Sequence, residues 1–244
     1  MRRPAATRAR QRVEAVNPSP LDALCRLLDD LDRERTSVVE LLCRTARPQP
    51  WTLYPGEYGI FDRKTSSQLY FHAHDGREEE IGHFHTVRLF PDRTVHLVAI
   101  SIGNDRRPRA LSTLNLWAIG DTAASAGELK RYVTRFSLDE RHGEPRVVRF
   151  VNLVFRAFEP EILHLQDAKI AALYAYRRAH PGIDPFEDRQ HEVLSSVDVS
   201  ALTRLWRTDN GPREQHDPRQ RRGAALAGAQ HGRPRSDQDS RRFP

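Results

Sequence analysis

From Leu21 to Leu31 apolar residues recur at intervals of three and four, at Leu21, Leu24, Cys25, Leu28 and Leu31. That spacing places them on one face of a helix. Val38, Leu41 and Leu42 resume the stripe after the charged Asp32-Arg33-Glu34-Arg35 stretch, so a helix is predicted from about Leu21 to Ala46, in one piece or in two. Pro48 and Pro50 end it. The period then shortens. Leu69 to His74 and His83 to Leu89 are short segments rich in aromatic and β-branched residues, separated by a polar tip that contains Gly76. This predicts a β-hairpin. A third strand, Thr94 to Ile102, follows the turn Pro91-Asp92-Arg93, and Leu111 to Trp117 reads as a fourth.

Helical spacing returns after Thr122, the expected cap of a helix from Ala123 to Phe136. Glu144-Pro145 opens the next, with Val147, Val148, Val151, Val154, Phe155 and Phe158 on its buried face. Pro160 separates it from a helix over Glu161 to Ala179, whose inward residues are Ile162, Leu163, Ile170, Leu173 and Tyr174. Glu192 to Val199 alternates as a short strand, and Ala201 to Trp206 reads as a brief helix. The pattern as a whole is α+β: a small antiparallel sheet centred on the hairpin, packed against helices from both ends of the chain.

Composition divides the chain. Residues 1–19 hold five arginines against one glutamate, and residues 207–244 hold nine arginines against five acidic residues. These ends together carry +8 against a formal net charge of +6 for the chain, which leaves residues 20–206 at −2, close to neutral. Both ends lack apolar periodicity and are expected to be disordered basic tails around a single α+β domain, 20–206. Arginine outnumbers lysine 36 to 3, but it is spread along the chain, which fits a compositional bias better than a nucleic-acid stripe. Any nucleic-acid binding is expected to be weak, non-specific and carried by the tails. The two cysteines, Cys25 and Cys43, sit on a helical apolar face and indicate no disulfide framework. Arg2-Arg3 is followed by no apolar stretch, and no run approaches the ~18 residues that span a bilayer. A soluble, cytoplasmic protein without a membrane segment is expected.

The candidate chemistry lies in the hairpin. His72 and His74 form one His-x-His pair, His83 and His85 a second, and Glu78, Glu79 and Glu80 lie between them. Period-two alternation puts each pair on one face of its strand. If His74 lies opposite His83, then His72 lies opposite His85 and the loop is about four residues, Arg77 to Glu80. Phe71 and Ala73 then meet Phe84 and Thr86 on the other face. The histidine face would continue through Val87, Leu89, Val98 and Ile100. A two-residue connection at the Pro91-Asp92 turn places His96 beside Val87 on that face; a three-residue connection places it on the opposite one.

Imidazoles in half-apolar surroundings need partners. A divalent metal of the zinc or iron class is one, held by His72, His74, His83 and His85 with Glu80 or His96 joining, and Glu80 or Glu78 doubling as a candidate general base. Such a site could serve a small metal-dependent enzyme acting on a small-molecule ligand. The plainer reading is a non-catalytic binding or interaction domain, in which the histidines hydrogen-bond to Gln68, Tyr70, Asn115 or backbone as a structural layer. There is no Gly-x-Ser-x-Gly and no Gly-rich phosphate loop, and neither cysteine lies near the histidines in sequence.

Ser67-Gln68-Leu69-Tyr70-Phe71-His72-Ala73-His74 followed by Glu80-Ile81-Gly82-His83-Phe84-His85-Thr86 resembles the signature of an uncharacterised bacterial domain-of-unknown-function family. The resemblance covers roughly Leu21 to Val199 and includes Tyr54-Pro55, Asn115-Leu116-Trp117, Glu187-Asp188-Arg189 and Glu192-Val193-Leu194-Ser195. It implies no assigned activity. That family often carries a histidine just before the Tyr-Pro pair, where this chain has Leu53. His72-x-His74 with Glu78 also resembles the start of a cupin metal motif, by analogy alone: the following spacing departs from it and no second motif supplies a later histidine.

Overall fold

The N-terminal stripe folds as two helices in the computed structural model, which describes residues 18–74, 79–120 and 123–201. Helix α1 spans Pro20–Arg33, opened by a capping box between Ser19 and Asp22. Helix α2 spans Val38–Cys43 and is capped afresh by Ser37, because Arg35 turns the chain through a positive φ of 57°. The expected tails 1–19 (apart from residues 18 and 19) and 207–244, the hairpin tip with Glu78, the expected cap Thr122 and the helix expected over Ala201 to Trp206 (apart from Ala201) lie outside the described residues.

All strands run antiparallel. In order along the chain they are β1 (Leu53–Tyr54), β2 (Ile60–Asp62), β3 (Ser67–Ala73), β4 (Glu80–Leu89), β5 (Thr94–Gly103), β6 (Pro108–Leu114) and β7 (Val193–Asp198). They form one sheet in the order β1-β3-β4-β5-β6-β7, with β2 also paired to β3. The fourth strand ends earlier than its apolar pattern suggested. The Asn115 side chain accepts from Leu116 N–H and starts a short helix, α3 (Leu116–Ile119), so Trp117 is helical rather than extended.

Helix α4 is Ala126–Thr134, capped by Ser125 with Glu128, three residues beyond the cap read from sequence. Helices α5 (Pro145–Ala157) and α6 (Glu159–Ala179) divide near Pro160 as expected. The Phe150 ring of α5 lies 5.6 Å from Phe84, which lies 5.0 Å from Phe71, so α5 covers the phenylalanine face of the hairpin. Burying this aromatic set contributes several kcal/mol: removing one such ring typically costs about 3–5 kcal/mol. Helix α6 departs from its expected inward face. Gln166 and Lys169 are buried beside Ile162, Leu165 and Leu173, whereas Tyr174 is exposed.

Arg107, in the turn between β5 and β6, is buried and donates to Asp29 Oδ1 and Asp32 Oδ2, each at 2.6 Å. A buried guanidinium without its carboxylates would be strongly unfavourable, so this contact fixes α1 against that turn. Among the described residues no helix is long and apolar enough to cross a membrane.

Candidate metal centre

The hairpin pairs His72 with His83, Phe71 with Phe84 and Tyr70 with His85. This is two residues away from the expected register, in which His74 faced His83. Because side chains alternate with period two, a slip of two leaves the faces intact. All four hairpin histidines therefore share one face and the phenylalanines share the other. Gly82 explains the choice. It stands opposite Ala73, and a Cβ there would sit 2.3 Å from the His72 carbonyl oxygen and 2.7 Å from the Phe71 ring. Only glycine lets the strands close at this point. His74 extends past the end of β3 and donates its backbone N–H to the Ile81 carbonyl at 3.2 Å.

Two register shifts between β4 and β5 add further side chains to the histidine face. From Glu80 to Gly82, two steps on β4 match one step on β5, from Gly103 to Ile102, which makes Ile81 the extra residue. Gly82 belongs to the phenylalanine face, so the extra residue moves Glu80 onto the histidine face. From Thr86 to Val87, one step on β4 matches two on β5, from Val98 to His96, which makes Leu97 extra. The two-residue Pro91-Asp92 turn does pair Val87 with His96, as one of the two expected connections required. Beyond Leu97, however, the faces exchange. Val98 and Ile100 fall on the phenylalanine side, and Ala99 and Ser101 lie opposite His85 and His83. The expectation that the histidine face would continue through Val98 and Ile100 is thereby corrected. Bulges of this kind re-aim side chains and concentrate near functional sites.

The result is a continuous cluster. His74 Nε2 lies 3.1 Å from His83 Nδ1, and Glu80 Oε1 lies 2.9 Å from the same nitrogen. His83 Nε2 lies 2.8 Å from His85 Nε2, and His85 Nδ1 lies 3.3 Å from His96 Nε2. His83 and His85 are each 4% exposed, and His96 is fully buried. Burial holds the His85 imidazole well below its usual titration range, reinforced by His83, His96, His72 and His74. Burial does the same to His96, reinforced by Lys169 and His83. Both rings are accordingly neutral near pH 7, the form that binds metals. Two sets of ligand atoms converge closely enough to hold an ion: His72, His83 and His85, and His74, Glu80 and His83.

The expected supporting residues behave differently from one another. Tyr70 stacks on His85 with ring centroids 4.6 Å apart. Gln68 instead donates to the Tyr58 carbonyl at 2.5 Å. Asn115 donates to the carbonyls of Pro185 and His191, so it fastens the segment before β7 rather than the histidines. Trp51, a residue that the sequence pattern did not single out, lies at the rim of the cluster. Its backbone N–H donates to Ala73 at 3.2 Å, and its ring, 72% exposed, lies 5.5 Å from His72 and 6.2 Å from His74. Leu53 pairs directly with His72.

These features define an α+β domain organised around a buried imidazole–carboxylate cluster with the composition of a metal-ligand set. The chain belongs to the family described as a domain of unknown function (DUF6969), whose model matches residues 21–199. No curated protein and no solved structure matches it.

Proposed function

We propose that this domain binds divalent transition-metal ions through the histidine face of its hairpin. One observation carries the reading. Two register shifts, one in β4 and one in β5, each bring a metal-ligand type of side chain, Glu80 and His96, to a face that already holds four histidines. A sheet that needed only a hydrogen-bonded layer would not need both interruptions of its ladder. Neutral imidazoles with one carboxylate suit zinc, iron, copper or nickel and disfavour calcium or magnesium.

Each three-ligand set leaves coordination positions for water or a small-molecule ligand, the arrangement used where a metal activates a bound group. Glu80, whose Oε1 is directed at His83 Nδ1, joins the ligand set in this reading rather than serving as a separate general base. His96 faces the nitrogen of His85 that points away from His83, so it orients His85 rather than binding the ion. The competing reading, a metal-free structural layer, has in its favour the unbroken ring-to-ring series from His74 through His83 and His85 to His96.

The test is elemental analysis of the full chain, purified without chelator, together with calorimetric titration of chelator-stripped protein with Zn(II). Stoichiometric metal that is lost in His83→Ala and His85→Ala supports the reading. Absence of bound metal in the native and reloaded protein hands the site to the structural layer.

A further inference from the structure

Resting on the metal-binding reading above, we infer that the cluster holds two metal ions and that His83 bridges them through its two ring nitrogens. The two convergent sets, His72 with His83 and His85, and His74 with Glu80 and His83, share only His83. They do not share the same edge of its ring. Nδ1 faces His74 Nε2 at 3.1 Å and Glu80 Oε1 at 2.9 Å, whereas Nε2 faces His85 Nε2 at 2.8 Å.

Each ring nitrogen has one in-plane bonding direction, filled by a lone pair or by the N–H bond, and the two point to opposite edges. An ion on the Nδ1 side can therefore reach His74 and Glu80 but not His85. An ion on the Nε2 side can reach His85 and His72 but not Glu80. A single ion would leave one complete set unused. The spacing suits occupation of both sides. Ligand nitrogens about 2.0–2.1 Å from a tetrahedral ion stand roughly 3.3 Å apart, so contacts of 2.8–3.1 Å need only a small outward adjustment.

The coordination balances without an outside reagent. Binding the second ion forms a second metal–nitrogen bond at His83 and breaks its remaining N–H bond, and the proton leaves to solvent. The bridging imidazolate and the Glu80 carboxylate then offset two of the four positive charges introduced. Three protein ligands per ion leave both ions with open positions, and the side chains across from His83 and His85 are the short Ser101 and Ala99.

The experiment titrates chelator-stripped full-length protein with Zn(II) and with Cu(II), reading stoichiometry by elemental analysis after desalting. The expected result is two ions per chain, with one extra proton released with the second ion when calorimetry is repeated in buffers of different ionisation enthalpy. His74→Ala and Glu80→Gln should each reduce the stoichiometry to one, with far-ultraviolet circular dichroism confirming the fold. The two Cu(II) ions in the native chain should couple magnetically, and their resonance should revert to that of an isolated ion in both variants. One ion per chain in the native protein, unchanged in Glu80→Gln, overturns the bridge and leaves the metal reading standing. Two ions without coupling or proton release also overturn it. No ion in any form overturns both.

Discussion

Gln166 Nε2 donates to the Leu97 carbonyl at 2.9 Å, at the point where β5 carries one residue more than its partner. The extra residue interrupts the ladder, and a fully buried glutamine from α6 takes its carbonyl. Gln166→Leu keeps the volume and removes that donor. A stranded carbonyl costs about 1–3 kcal/mol. Loss of Gln166 Oε1, itself buried without a partner among the described residues, offsets part of this. A net destabilisation of about 1 kcal/mol is expected in urea unfolding, together with weakened metal binding as the bulge relaxes and His96 shifts. A stabilised variant with unchanged binding would show that the bulge does not depend on this contact.

Leu53 stands across from His72 on the outer edge of β3 and is partly exposed. Leu53→His adds an imidazole beside the set that contains His72. Zn(II) affinity measured by competition with a chromophoric chelator should rise about tenfold, or about 1.4 kcal/mol. Leu53→Ala should leave it unchanged. Equal affinities in the two variants would argue that His72 does not face the ion.

At Gly82 the hairpin strands leave no room for a Cβ. Gly82→Ala would force its new methyl against the His72 carbonyl, a backbone atom that cannot rotate away. Overpacking that forces backbone to shift typically costs about 1–3 kcal/mol. Thermal unfolding of the variant well below the native protein is the expected outcome. A loss under about 0.5 kcal/mol would contradict the observed pairing of Gly82 with Ala73.

Burial pushes the Cys25 thiol up to about 11 and the Cys43 thiol up to about 12, from an ordinary thiol value of 9.0. A group whose pKa is raised on folding binds more protons folded than unfolded once the pH passes the unfolded value. Stability should therefore fall as pH rises above 9, by up to about 1.4 kcal/mol per pH unit for each thiol. Between pH 9 and 11, Cys25→Ala/Cys43→Ala should lose less stability than the native chain. Both thiols should also resist a thiol reagent at pH 8 until the protein unfolds. Rapid labelling of the folded protein would show that the α1–α2 face opens.

The α+β class, the helix division at Pro160 and the segregation of histidines from phenylalanines were all legible, because each follows from period or from proline. The pairing of His72 with His83 was not. A slip of two residues preserves every face, so alternation alone cannot distinguish it, and only the steric demand at Gly82 does. The two bulges left no mark either: Ile81 and Leu97 look like ordinary strand residues. The hydrogen-bond partners of Gln68 and Asn115 were not legible either, because a polar residue near an apolar run can bond to nearby backbone, as Asn115 does at the start of α3.

The extra residues Ile81 and Leu97 have a consequence for how this site should be probed. The placement of Glu80 and His96 depends on how many residues each strand contains, not on which residues flank them. Alanine scanning at positions 81 and 97 would leave both ligand-type side chains where they are. Deleting either residue would turn the strand end by half a turn and carry Glu80 or His96 to the opposite side of the sheet, with every other side chain chemically unchanged. Homologous hairpins of this family are therefore better compared by strand length around these two points than by identity, and a graft of the hairpin onto another sheet must carry the partner strand with it.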